Sequence, residues 1–166
     1  MRPMTPWSAA AGIASDCVGQ METDGKNRSP FIKRLWMSLG LDSYYDDREP
    51  WCCAFVSWCL LAASHGRPEL IGNHFICPDV ASALAWCKAH AQEVPLKLAR
   101  TGDVVIYLPH FSHIGIVDEV AELGVHTIEG NTDGSGGRDG DGVYRRFRPF
   151  LQIGSIWALP VRAIKA

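Results

Sequence analysis

The sequence of 166 residues has no long apolar run and no strong charge of either sign. Its net charge of −2 gives no overall attraction to nucleic acid or to an anionic membrane. None of its apolar runs reaches the roughly 20 residues that a membrane-spanning helix requires. It also contains no internal repeat and no low-complexity linker. These absences argue against a nucleic-acid partner and an integral membrane segment, and they favour one domain over residues 1–166.

The six cysteines include no C-x-x-C pair, although six cysteines could in principle form a disulfide framework. Most of them lie in apolar segments that we predict to be helical. We therefore expect reduced thiols, most of which serve as small core residues. A chain of this length buries about 70% of its unfolded surface, so its fold needs neither a disulfide nor a metal ion.

The most apolar run of the chain covers residues 49–61 and contains Pro50 near its start. Proline is favoured at the first position of a helix, and Gly66 provides a stop, so we predict a buried helix over about residues 50–64. Cys52 would then lie in the first turn, where unpaired N–H groups and the helix dipole favour a thiolate. Cys52 is therefore a candidate nucleophile, and the alternative is an inert core cysteine.

Three further helices are predicted in the first part of the chain, over residues 8–21, 29–40 and 79–91. Residues 41–48 are acidic and aromatic, and we predict a solvated loop there. Their aspartates do not complete a calcium-binding loop. Residues 66–78 are predicted to be irregular.

From Gly102 onward, short apolar runs alternate with turn residues, which is typical of strands joined by hairpins. The predicted strands cover residues 104–108, 113–117, 125–129, 143–147 and 153–159. The glycine- and aspartate-rich residues 130–142 are predicted to form a flexible connection, with a cation site as the alternative. Helices followed by such strands indicate an α+β fold, in which N-terminal helices pack on an antiparallel sheet of about five strands.

His113 is the candidate base, because it begins a strand directly after a turn. A nucleophilic thiol needs a base within hydrogen-bond distance and a third group that orients the base. Gly115, two residues later, lies on the same face of the strand and leaves room for another element to approach. His110 lies in the turn and is a weaker candidate. The pair His110-x-x-His113 could be half of a zinc site, but no second pair of ligands stands at suitable spacing.

Glu129 and Asn131 are the candidates for the orienting group. They are two residues apart at the end of a strand, so we expect both side chains on one face. A carboxylate can accept the imidazole N–H and stabilise an imidazolium, and an amide can hold the ring or polarise a substrate carbonyl. A cysteine, then a strand histidine, then a strand-end polar residue is the order in papain-like hydrolases, although the local papain signature C-G-[SA]-C-[WY] is absent.

Four segments carry a resemblance to a known family: Trp51-Cys52-x-Ala54-Phe55-Val56, Gly102-Asp103-Val104-Val105, Ser112-His113-Ile114-Gly115-Ile116-Val117 and Glu129-Gly130-Asn131. Together they resemble the CHAP and NlpC/P60 superfamily of cell-wall hydrolases, most closely its small phage endolysin-like members. The resemblance implies a papain-like fold. It makes Cys52 the nucleophile, His113 the general base, Glu129 the orienting acid and Asn131 the assisting amide. It also makes Cys53 a core cysteine, since the family commonly has a small residue there.

The resemblance implies a peptidoglycan hydrolase that cuts an amide bond in or next to the stem peptide, as an amidase or an endopeptidase. We expect a monomer without a cofactor. Some members of the family bind calcium in the loop before the nucleophile, but Asp42, Asp46 and Asp47 do not reproduce that spacing, so no metal site is expected. Residues 1–14 are weak as a signal peptide, so we expect synthesis in the bacterial cytoplasm and release to the wall by another route, such as a holin. The alternatives are a secreted antibacterial effector with the same chemistry, a non-catalytic wall-binding module and a thiol acyltransferase.

Overall fold

A computed structural model describes residues 7–65, 75–137 and 139–160. This part of the chain forms an α+β fold in which helices come first and an antiparallel sheet follows. The predicted fold class is confirmed. None of the helices within these ranges is long and apolar enough to cross a membrane.

Five α-helices lie within the described residues: α1 (Ser8–Asp16), α2 (Pro30–Ser38), α3 (Asp42–Asp46), α4 (Cys52–Ala63) and α5 (Val80–His90). The strands are β1 (Gln92–Val94), β2 (Val104–Ile106), β3 (Ile114–Val120), β4 (Gly124–Thr132), β5 (Gly142–Pro149) and β6 (Ser155–Ala158). They form a six-stranded sheet in the order β1-β6-β2-β3-β4-β5. Neighbouring strands are antiparallel throughout.

Helices α2 and α5 follow their sequence signals closely. Ser29 caps α2 by accepting a hydrogen bond of 3.1 Å from the Ile32 N–H, and Pro30 takes the first helical position. Asp79 caps α5 in the same way, with a hydrogen bond of 2.8 Å from the Ser82 N–H. Such side-chain caps satisfy backbone donors that the helix leaves unpaired. Both predicted helices are confirmed.

Two predictions near the N-terminus were wrong. Helix α1 ends at Asp16 and does not reach Met21. Gly19 takes a positive φ of 92°, its N–H bonds the Val143 carbonyl, and the chain then follows β5. The predicted loop at residues 41–48 contains the short helix α3, whose Tyr44 stacks on Trp36 at 5.2 Å between ring centroids. Tertiary contacts decided both segments over local propensity.

Helix α4 begins at Cys52, two residues later than predicted. Trp51 is its N-cap, and the Trp51 carbonyl accepts the first intrahelical hydrogen bond from the Phe55 N–H at 2.9 Å. At the other end His65 takes a positive φ of 54°, the conformation predicted for Gly66, which lies outside the described residues. All six cysteines are buried free thiols, as expected.

The five predicted strands correspond to β2–β6, and β1 was missed. This edge strand has three residues, pairs with β6 and exposes Gln92 and Glu93, so it shows no apolar alternation. The central strands are buried on both faces. The helix-facing side carries Val104, Ile106, Ile114, Ile116 and Ile128, and the opposite side has a smaller core with Val105, Tyr107, Val117, Val125 and Ile156.

Candidate active site

Cys52 is the first residue of α4 and lies in the wall of an open cleft. Its side chain is 5% exposed. The cleft has a volume of about 310 Å³ and is lined by Tyr44, Glu49, Pro50, Cys52, Pro78, Asp79, Val80, Ser112 and Asp139. The thiol is therefore reachable from solvent while it stays at the positive end of a buried helix, where backbone N–H groups lack intrahelical partners.

His113 directly precedes β3 and is fully buried. Its Nε2 is 2.9 Å from Oε2 of Glu129. Its Nδ1 is buried and makes no hydrogen bond within the described residues, which leaves this nitrogen available to the Cys52 thiol, the other group that interacts with His113. The ring also stacks on Tyr107, with centroids 5.8 Å apart and planes at 19°. The imidazole is thus held on one edge and one face.

The thiol and the imidazole shift each other's pKa in the direction of an ion pair. A hydrogen bond from the Cys53 thiol, followed by the hydrogen bond and charge of His113, lowers the pKa of Cys52 from 9.0 to about 5 against the opposing effect of burial. Burial lowers the pKa of His113, but Cys52 and Glu129 outweigh it and raise that pKa to about 9. Between these values the pair is a thiolate and an imidazolium.

Cys53 differs from its neighbour Cys52 in the direction of its pKa shift. It is fully buried, and burial raises its pKa well above the ordinary value. A thiol that stays protonated is a poor nucleophile. This supports the core role that the sequence implies for Cys53.

Glu129 reaches His113 across the paired strands β3 and β4 because Gly115 has no side chain. A Cβ at Gly115 would lie 2.8 Å from Cγ of Glu129. As predicted, Gly115 leaves room for another element to approach, and the Glu129 side chain occupies that room. Glu129 is fully buried.

Three residues that sequence reasoning missed also hold Glu129. Oε1 accepts hydrogen bonds from the Tyr107 hydroxyl at 2.6 Å, the Thr127 hydroxyl at 2.6 Å and Arg148 Nε at 2.9 Å. Oε2, which faces His113, also accepts one from Arg148 Nη2 at 2.5 Å. Burial raises the pKa of Glu129, but Arg148 and His113 outweigh burial and hold that pKa far below its usual range.

Only one of the three missed residues had a usable signal in the sequence. Thr127 stands two residues before Glu129 on the same face of a strand. Arg148 is one of three arginines in β5, and nothing in the pattern separates it from Arg145 or Arg146. Tyr107 reads as an ordinary apolar strand residue.

Asn131 is buried, but it lies beyond the regular part of β4. Its φ is 57°, and the pairing with β5 shifts register between Glu129 and Thr132. Strand alternation therefore does not carry from Glu129 to Asn131 and does not by itself place the two side chains on one face. Within the described residues, Oδ1 of Asn131 has no hydrogen-bond partner. Its role as the assisting amide stays a prediction.

His110 lines a different cavity from the one that contains Cys52. Among residues 7–65, 75–137 and 139–160, no group of three or more His, Cys, Asp or Glu side chains could hold a metal ion. The structure therefore gives no second pair of ligands to the His110-x-x-His113 spacing.

Fold and site together define a papain-like α+β protein in which His113 interacts with both Cys52 and Glu129. The CHAP domain family profile matches residues 44–131, which is more than half of the 166 residues and includes Cys52, His113, Glu129 and Asn131. The chain belongs to the CHAP domain family. This family comprises cysteine- and histidine-dependent amidohydrolases and peptidases, and membership implies a peptidoglycan substrate. No curated protein matches the chain.

Proposed function

We propose that this protein hydrolyses an amide bond in or next to the stem peptide of peptidoglycan, with Cys52 as the nucleophile. The observation that carries the proposal is the position of Cys52 in an open cleft at the start of α4, beside His113, whose opposite nitrogen is 2.9 Å from Glu129. This order of thiol, imidazole and carboxylate is the arrangement that activates a cysteine for acyl transfer.

In the first half of the reaction, the Cys52 thiolate attacks the carbonyl carbon of the scissile amide. The oxyanion that forms accepts a hydrogen bond from the Cys52 backbone N–H, which has no intrahelical partner at the first position of α4. The His113 imidazolium then gives its proton to the leaving amine, and the C–N bond breaks. The products are a free amine, a neutral His113 and a thioester on Cys52.

In the second half, the neutral imidazole of His113 takes a proton from water, and the hydroxide attacks the thioester. The C–S bond breaks, the carboxylic acid leaves, and the thiolate–imidazolium pair returns. Glu129 keeps the ring in place and stabilises its charged form through the 2.9 Å contact with Nε2. Asn131 is proposed to supply an amide to the substrate carbonyl or to the ring.

The muramoyl-alanine amide and a peptide crosslink both suit this chemistry. The resemblance of the four sequence segments to small phage endolysins supports a role in host-cell lysis by a monomeric enzyme. A holin gene beside the coding sequence would agree with lysis, and an immunity gene there would indicate an antibacterial effector.

The test is mass spectrometry of the fragments that the protein releases from purified sacculi. We expect soluble muropeptides from the wild type and none from Cys52→Ala, while Cys59→Ala, a buried cysteine of the same helix, retains activity. A free stem-peptide N-terminus identifies an amidase, and an opened crosslink identifies an endopeptidase.

Three results would overturn the proposal. Full fragment release by Cys52→Ala would exclude Cys52 as the nucleophile. Binding of the wild type to sacculi without any release would indicate a wall-binding module, and fragment masses joined through new amide bonds would indicate an acyltransferase.

A further inference from the structure

We propose that Arg148 is a positioning residue for this reaction: it holds the charged Glu129 carboxylate in the one orientation in which Oε2 meets His113. The inference rests on the proposed function, because it gives Arg148 a part in the same site. It adds a fourth residue, from β5, to the line of Cys52, His113 and Glu129.

The contact between Arg148 and Glu129 fixes the plane of the carboxylate. Nε of Arg148 donates to Oε1 at 2.9 Å and Nη2 donates to Oε2 at 2.5 Å. Two parallel hydrogen bonds from one guanidinium edge define the plane of the carboxylate, whereas Tyr107 and Thr127 both donate to Oε1 and leave Oε2 without a second donor. With both oxygens engaged, Oε2 stays directed at Nε2 of His113, and Nδ1 stays directed away from Glu129.

Arg148 is itself held rigidly. It is 5% exposed, and its Nη1 donates to the Gly136 carbonyl at 3.2 Å. Its guanidinium lies over the rings of Tyr107 and Phe111, at 5.1 and 5.4 Å from their centroids. Because Tyr107 also stacks on His113 and donates to Glu129, one packed group of side chains contacts both the acid and the base.

The charge of Arg148 matters as well as its shape. Glu129 is a fully buried carboxylate, and burial alone favours its neutral form. A neutral Glu129 would stabilise the imidazolium of His113 far less. Arg148, together with His113, favours the ionised carboxylate and holds the pKa of Glu129 far below its usual range.

Rescue by a small molecule can test this role, because Arg148 lines a cavity that is separate from the cleft of Cys52. The cavity has a volume of about 370 Å³, is open to solvent and is lined by His110, Phe111, Gly136, Arg148, Leu151 and Gln152. Removing the Arg148 side chain would extend this space toward Glu129. Methylguanidinium is small enough to enter and to restore the two hydrogen bonds.

The experiment compares Arg148→Ala and Arg148→Lys with Arg145→Ala in full-length protein. Arg145 lies on the same strand, is exposed and pairs with Asp118, so it controls for loss of an arginine from β5. For Arg148→Ala we expect kcat on sacculi to fall by roughly 10- to 100-fold, by analogy with residues that orient the ligands of metal sites. KM should change little, and the acid limb of the pH profile should move to higher pH. Arg145→Ala should match the wild type.

Millimolar methylguanidinium should restore kcat of Arg148→Ala several-fold, whereas urea at the same concentration should not. A merely structural link between β4 and β5 predicts a lower melting temperature with an unchanged pH profile and no rescue, and that result would overturn the proposal. If Arg148→Ala does not fold, Arg148→Lys decides, because it keeps the charge but cannot make the paired contact. Wild-type kcat at every pH in Arg148→Lys would contradict the inference.

Alkylation of Cys52 by iodoacetamide separates this inference from the proposed function. The alkylation rate reports the thiolate and does not require turnover. A wild type that fails to cut sacculi would overturn the function, and the alkylation profile would still test Arg148. We expect the midpoint of alkylation to move to higher pH in Arg148→Ala and to stay unchanged in Arg145→Ala. Unchanged midpoints in both variants would overturn the role of Arg148.

Discussion

The two faces of the sheet are built from different chemistry. The helix-facing side is aliphatic, with Ile114, Ile116 and Ile128 fully buried in the main core. The opposite side, called the polar face below, has a smaller apolar core and also buries Glu129 and Arg148 as an ion pair. Aliphatic burial stabilises the fold at about 25 cal/mol per Å², whereas a buried ion pair adds little because desolvation offsets the Coulombic attraction. The difference indicates that the polar face is organised to hold His113 and that the aliphatic face is organised for stability.

The largest expected effect comes from His113 on the polar face. Without the imidazole, Cys52 loses its proton acceptor and the leaving amine loses its proton donor. We expect His113→Ala to lower kcat/KM on sacculi by about 10²- to 10⁴-fold, with secondary structure unchanged by circular dichroism. His110→Ala is the control and should stay near the wild type. Loss of activity in His110→Ala together with a near-normal His113→Ala would show that the wrong histidine was assigned.

Glu129→Gln should have the next largest effect. The amide keeps the size of the side chain but removes the charge that stabilises the imidazolium, so the pKa of His113 should fall from about 9. Since the imidazolium is the proton donor, the alkaline limb of the pH profile of activity should move to lower pH. We expect kcat to fall by roughly 10²-fold, and the pH profile of kcat measures both effects. A variant whose alkaline limb stays in place would contradict the electrostatic role of Glu129.

Gly115→Ala tests the gap between the two strands. A Cβ there would lie 2.8 Å from Cγ of Glu129, so the carboxylate must shift from His113. We expect a loss of about 1 to 3 kcal/mol in the free energy of unfolding, as for other overpacked sites, together with a lower kcat. Urea denaturation and sacculus turnover measure the two effects. Wild-type kcat in a destabilised Gly115→Ala would mean that the position of Glu129 tolerates displacement.

The smallest effect should come from the aliphatic face, and it should be confined to stability. Ile116→Val removes one buried methylene and should cost about 0.5 to 1.5 kcal/mol in the free energy of unfolding. We expect kcat per folded molecule to stay unchanged in the sacculus assay that is also used for Gly115→Ala. A clear fall in kcat would break the separation between the two faces.

Local signals in the sequence were enough for the parts of the fold that depend on them. Ser29 and Pro30 mark the start of α2, and the apolar runs mark five of the six strands. Cys52 and His113 could be selected because each begins a regular element. Tertiary contacts decide the rest: α3 forms against Trp36, and β1 forms because β6 offers an edge.

The charged part of the site shows the same limit. Arg148 is nineteen residues from Glu129 in the chain and has two arginine neighbours in β5. Only the folded register shows which arginine is buried. The placement of Asn131 meets a related limit, because the irregular pairing after Glu129 breaks the two-residue alternation that was used to place it, and its role stays a prediction. A local sequence pattern can identify a candidate site residue, but the pairing between strands determines which side chains that residue contacts.

The central claim is that Cys52 is a preformed thiolate paired with His113. The most direct test is the rate of Cys52 alkylation by iodoacetamide as a function of pH, with the modified residue located by mass spectrometry. We predict a midpoint near pH 5 in the wild type, because the pKa of Cys52 is lowered to about 5, and a midpoint shifted toward 9.0 in His113→Ala. A wild-type midpoint near the ordinary thiol value of 9.0 would contradict the account.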